Sequence, residues 1–103
     1  MEYMLVHTGR GIFTPEMLAP MMAQSKQLAA NPGAFVPGGK LIGSWVARNK
    51  AFIVCIWDVP NVENLGPLVE MMEMAGWDTD INLTESFPAH IERTAKVMAS
   101  MKK

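Results

Sequence analysis

The first apolar stretch, "EYMLVHT" (residues 2–8), is short and partly β-branched and stops at Gly9, which predicts a strand. The period then changes. In "TPEMLAPMMAQSKQLAANPG" (14–33), Leu18, Met21, Met22, Leu28 and Ala29 fall on one helical stripe that Ser25 interrupts. Thr14 suits the N-cap, Pro15 the first helical position, and Asn31-Pro32-Gly33 the stop. Pro20 removes a backbone donor near the first turns and predicts a kink or a late start. Beyond a loop at 34–39, "KLIGSWVA" (40–47) and "KAFIVCIWDV" (50–59) read as strands joined by a tight hairpin at Arg48-Asn49. A two-residue turn there puts Ser44, Cys55 and Trp57 on one face, and Leu41, Trp45, Phe52 and Val54 on the other.

Helical spacing returns in "PNVENLGPLVEMMEMAG" (60–76), where Val62, Leu65, Val69 and Met72 share a face. Asn61 suits its cap and Gly76 its C-terminal position, while Gly66-Pro67 breaks the early turns. "WDTDINLT" (77–84) alternates Trp77, Thr79, Ile81 and Leu83 with Asp78, Asp80, Asn82 and Thr84, as a strand with two unlike faces does. "PAHIERTAKVMASMKK" (88–103) then gives a helix with Ile91, Ala95 and Met98 on one stripe. Glu92 and Lys96 are spaced to pair, and Lys102-Lys103 fall at the negative end of the helix dipole.

This order, βαββαβ plus a helix, predicts one α+β domain over residues 1–103: a four-stranded antiparallel sheet with two helices on one face. The strand at 50–59 has almost no polar residue, so both its faces call for burial. Two helices cover one face only, and a second copy packed sheet to sheet covers the other. The strand order, the length, "AFIVCIW" apolar on both faces, "TPE" opening the first helix and the extra last helix resemble the dimeric α/β-barrel superfamily of ferredoxin-like folds. Small uncharacterised members, related to muconolactone-isomerase-like and antibiotic-biosynthesis-monooxygenase-like proteins, are the most similar. The resemblance implies a homodimer, or a larger assembly, whose two sheets enclose a barrel. It also implies a cleft between sheet and helices in each protomer that holds a small apolar molecule. Activities in that superfamily are diverse, so the resemblance implies a kind of site and no particular reaction.

Charge excludes several classes of partner. The net charge is −1 and the nine basic residues are scattered, so neither nucleic acid nor a charged membrane surface is an expected partner. The longest apolar run falls far short of a bilayer span, and the acidic N-terminus is unlike a signal peptide, so a cytoplasmic address is expected. The lone Cys55 reads as a small core residue. With one cysteine and two distant histidines, no metal and no cofactor are expected. Gly9-Arg10-Gly11 lacks the third glycine of a dinucleotide loop. "GAFVPGGKL" (33–41) has the wrong spacing for a phosphate loop, and it enters a strand where such loops enter a helix.

The candidate chemistry follows from strand parity. With Trp77, Ile81 and Leu83 toward the helices, Asp78, Asp80, Asn82 and Thr84 face away. Placing Met4 and Val6 under the helices sends Tyr3, Leu5 and His7 to the side of the aspartates, with His7 near Asp80 and Asp78. A histidine held by a carboxylate is a general base suited to neutral pH, and Tyr3 could donate to a developing oxyanion. Such a set serves isomerisation, cyclisation or cofactor-independent oxygenation of a small apolar or aromatic compound. Arg10 is placed to receive an anionic group, and Trp57, Met21 and Met72 to line an apolar cleft. His90 reads as surface. The alternative is a non-catalytic ligand carrier or accessory interaction subunit, which a pocket smaller than roughly 300 Å³ would favour.

Overall fold

The computed structural model describes residues 1–101. Strand β1 (Glu2–Gly9) leads to helix α1 (Pro15–Ala30), and strands β2 (Lys40–Val46) and β3 (Phe52–Asp58) follow. Helix α2 (Gly66–Met74), strand β4 (Trp77–Leu83) and helix α3 (Phe87–Met101) complete the expected order. The sheet is antiparallel throughout, in the order β2-β3-β1-β4, which is the ferredoxin-like arrangement.

Local chemistry explains most boundaries. α1 starts at Pro15, where a missing N–H costs nothing, and runs through Pro20 without the late start expected. The Thr14 side chain makes no capping bond; instead its carbonyl accepts the N–H groups of Met17 and Leu18 at 3.0 and 3.1 Å. A 3₁₀ turn at Val62–Leu65 precedes α2, and Asn61 N–H donates to Asn64 Oδ1 across it. Pro67 then lies in the first turn of α2, so Gly66-Pro67 restarts the helix and does not break it. Gly76 ends α2 at φ +98°, a conformation that favours glycine.

The central hairpin differs from expectation in two ways. Ala47 N–H donates to Phe52 O, leaving a four-residue loop at 48–51 in place of a two-residue turn. Both loops are even in length, so Ser44, Cys55 and Trp57 keep the same face. The second difference is a bulge: Leu41 pairs with Trp57 while Gly43 pairs with Ile56. The extra residue, Ile42, brings Leu41 to the face opposite Trp45, where it lies across from Trp57.

The largest correction concerns β1. Leu5 pairs with Ile81 and His7 with Thr79, and directly paired residues share a face. Tyr3, Leu5 and His7 are all buried on the helix side, with Trp57 and Cys55 of β3. The core there is completed by Val36, Val59, Leu65 and Leu68. Met4, Val6 and Thr8 therefore share the outer face with Asp78 and Asp80. At its centre that face is apolar: Val6 and Trp45 flank Val54, and Met4 lies beside Ile56.

α3 stands apart from this body. It buries none of its residues and makes no substantial contact with another element. The molecule is consequently 61 Å long, and its radius of gyration is 16.7 Å where about 13 Å is usual for a compact domain of this size. No helix among the described residues is long and apolar enough to cross a membrane. The dipole role expected of Lys102 and Lys103 lies outside the described residues.

Candidate functional site

α1 buries no residue, and its standoff from the sheet leaves a cavity of about 210 Å³ between sheet, α1 and α2. The sheet supplies His7, Ser44, Ile53 and Cys55 as its floor. Met21, Gln24 and Leu28 come from α1, and Met71 and Met72 from α2, with Trp77 at one end. Phe13 stacks on Trp77 at 5.2 Å between centroids, so the loop after β1 backs this wall. Gly9 is required beside it, since a Cβ there would lie 2.5 Å from Ala51 Cβ and 2.7 Å from the Phe13 ring.

His7 is the chemically distinctive residue. It is 1% exposed, and its Nδ1 shares a 2.7 Å hydrogen bond with Thr79 Oγ1. Burial lowers its pKa from 6.5 to about 4, so the imidazole is neutral at pH 7. Among the described residues, Nε2 has no hydrogen-bond partner. One ring nitrogen is thus held by the protein and the other is left for a ligand. Cys55 sits diagonally from His7 across β1 and β3, and its sulfur is 3.3 Å from Ser44 Oγ. Burial pushes the Cys55 thiol up, which keeps it protonated and a poor nucleophile. Ser25 is bonded to its own helix through Met21 O at 2.8 Å. Nε2 of His7 at the floor and the Gln24 amide at the mouth are polar groups of the cavity with no hydrogen-bond partner among the described residues.

Among solved structures, muconolactone isomerase resembles this chain at a TM-score of 0.60, with 19% identity over 84% of this chain and 92% of the isomerase. The likeness is one of fold. No protein-family model matches the chain, and no curated protein matches it. The muconolactone-isomerase-like part of the expected resemblance is therefore supported at the level of architecture.

Within that fold the expected residues separate into two groups. His7, Met21 and Met72 line the cavity together. Asp78 and Asp80 do not join them, because they lie on the opposite face of the sheet across from Thr8 and Val6. The histidine–aspartate pair is thus not formed, and Thr79 holds the position assigned to the carboxylates. Tyr3 is buried in the core, its hydroxyl 3.9 Å from Met1 Sδ, and does not line the cavity. Trp57 is also packed in the core outside the cavity, and its buried indole N–H has no partner.

Arg10 is committed elsewhere. Its guanidinium donates to Asp78 Oδ1 and Glu73 O, each at 2.7 Å, and to Trp77 O at 3.3 Å. It clamps the end of α2 to the start of β4 and does not present an anion site. Sequence reasoning missed Thr79, Ser44 and Gln24. A signal for the parity of β1 was present: Glu2, Met4, Val6 and Thr8 form the set with a charged member, and that set faces outward.

Proposed function

We propose that this protein binds a small, mostly apolar single-ring compound in the cavity and moves a proton on it with His7. The observation that carries this reading is a buried, neutral histidine with one free ring nitrogen in an otherwise apolar chamber. Size sets the ligand class. An apolar cavity of about 150 Å³ holds benzene, so about 210 Å³ suits one substituted ring. The volume lies below the roughly 300 Å³ where drug-sized pockets begin, so size by itself favours the carrier or accessory reading, and it is the free nitrogen of His7 that supports catalysis.

The chemistry follows from His7. Nε2 takes a proton from carbon next to a carbonyl, and the C–H electron pair shifts to the carbonyl oxygen as an enolate. The imidazolium then returns the proton to a different carbon, so the double bond moves with no net oxidation. The enolate's charge offsets that of the imidazolium, which the apolar chamber otherwise disfavours. Muconolactone isomerase is named for an isomerisation, which agrees with this class of reaction.

We also infer a homodimer through the outer face of the sheet. The accessible surface is 7274 Å², against about 5,800 Å² for a compact monomer of this mass. The apolar centre of that face, with Thr8, Asp78 and Asp80 toward one edge, has the make-up of an interface.

Deuterium exchange into an unsaturated monocyclic lactone, followed by NMR in D₂O, tests the catalytic claim. The protein should accelerate exchange, and His7→Ala should reduce the acceleration by at least about a hundredfold while the melting temperature changes little. Binding of the lactone or of phenol without any accelerated exchange would establish a carrier instead.

A further inference from the structure

We propose that α3 of one copy docks in the groove between α1 and α2 of a second copy, and there roofs the second copy's cavity. Its purpose rests on the cavity reading above, but its geometry does not.

The groove is an open trough of about 700 Å³. Met17, Pro20, Met71 and Met74 give it an apolar floor, and Glu16 and Glu70 are the charges that line it. It shares Met21, Gln24, Met71 and Ala75 with the cavity, so whatever fills the groove also covers the cavity mouth. A single helix fits such a trough between two helices better than a flat sheet does.

α3 supplies the matching shape. At 100° per residue, Phe87, Ile91, Ala95 and Met98 form one stripe, and all the large members are exposed. Arg93 and His90 are taken up by Glu85 at 2.6 and 3.3 Å, so the stripe meets the groove through its apolar residues. A 15-residue helix is marginal in water by itself, and this one has no tertiary cover.

The arm does not fold back onto its own groove. It leaves the sheet after Leu83, which pairs with Tyr3, whereas the groove borders the opposite end, where Trp77 pairs with Gly9. The junction also has little slack. Thr84 bonds Glu2 O through both its N–H and its hydroxyl, Ser86 Oγ accepts the Ala89 N–H, and Glu85 grips Arg93 at 2.6 Å. The surface above that of a compact monomer, about 1,500 Å², exceeds the roughly 800 Å² each partner contributes to a standard interface. There is room for a sheet contact and an exchanged arm.

The full chain carrying Met74→Cys and Met98→Cys tests this, both methionines being well exposed and their replacement harmless to the core. Oxidation of mixed light- and heavy-isotope chains should give a disulfide between residue 74 of one copy and residue 98 of the other in most molecules. Adding Ile91→Asp should abolish that link and weaken phenol binding several-fold. A 74–98 link within one chain, no link at all, or a link formed only when Trp45→Cys replaces Met74→Cys would overturn the proposal. An intact interchain link in a protein that binds no phenol would sink the cavity reading and leave the arm exchange standing.

Discussion

A buried imidazole makes stability depend on pH, and His7 sets the direction. Its folded pKa of about 4 lies below the unfolded value of 6.5. Between those values the unfolded chain holds one more proton, so stability present above pH 6.5 drains away as pH falls toward 4. The loss over that window should be on the order of 2 kcal/mol, once solvent reaching the ring through the cavity is allowed for. His7→Gln keeps a partner for Thr79 and does not titrate. Urea unfolding at pH 7 and pH 4.5 should show the wild type losing that much more than the variant, while carboxylates common to both, such as Glu85, cancel. Equal losses would mean that His7 is not neutral in the folded protein. That His7 is the chemically distinctive group of β1 was legible in the sequence, because a chain with two histidines placed one at the end of an otherwise apolar strand. Its partner was not. Both faces of β1 are apolar, so alternation does not decide between them, and the deciding residues are Glu2 and Thr8 at the ends.

At the level of elements, periodicity located every strand and helix, because the chain switches between periods of 2 and 3.6 at clear turn residues. Register was harder to read. A sheet that is greasy on both sides tolerates a bulge at Ile42 or a longer loop at 48–51 without exposing a charge, so no pattern betrays either. The same periodicity overstated how firmly α1 is held. Its stripe is real, yet it buries no residue and spans the cavity as a loose roof, while β1 and β3 carry the buried core. Hydrogen exchange should therefore divide the molecule. Amides of α1 should exchange at least tenfold faster than those of β1 and β3, and saturating phenol should slow α1 specifically as its methionines close on the ring. Uniform protection across sheet and helix would show that the cavity is closed in solution and does not admit a ligand through α1.

For the whole molecule, the decisive position is Val54. It sits on the outer face between Val6 of β1 and Trp45 of β2, half-buried, while Trp45 is 60% exposed. In a monomer, an aspartate there would rest on a wet sheet surface and cost little. In a face-to-face dimer the two-fold brings two such charges into one dry layer, each uncompensated, at several kcal/mol apiece. Val54→Asp should therefore raise the dimer dissociation constant by more than a thousandfold, read by sedimentation across a dilution series. It should also make the melting temperature independent of concentration where that of the wild type rises with it. The Val54 side chain lies on the face of the sheet opposite His7, Ile53 and Cys55, so cavity loss in the variant would follow from lost assembly and not from a damaged site. If Val54→Asp and the wild type sediment alike as monomers, the apolar outer face has some other use, and an arm with no second copy to receive it cannot roof the cavity.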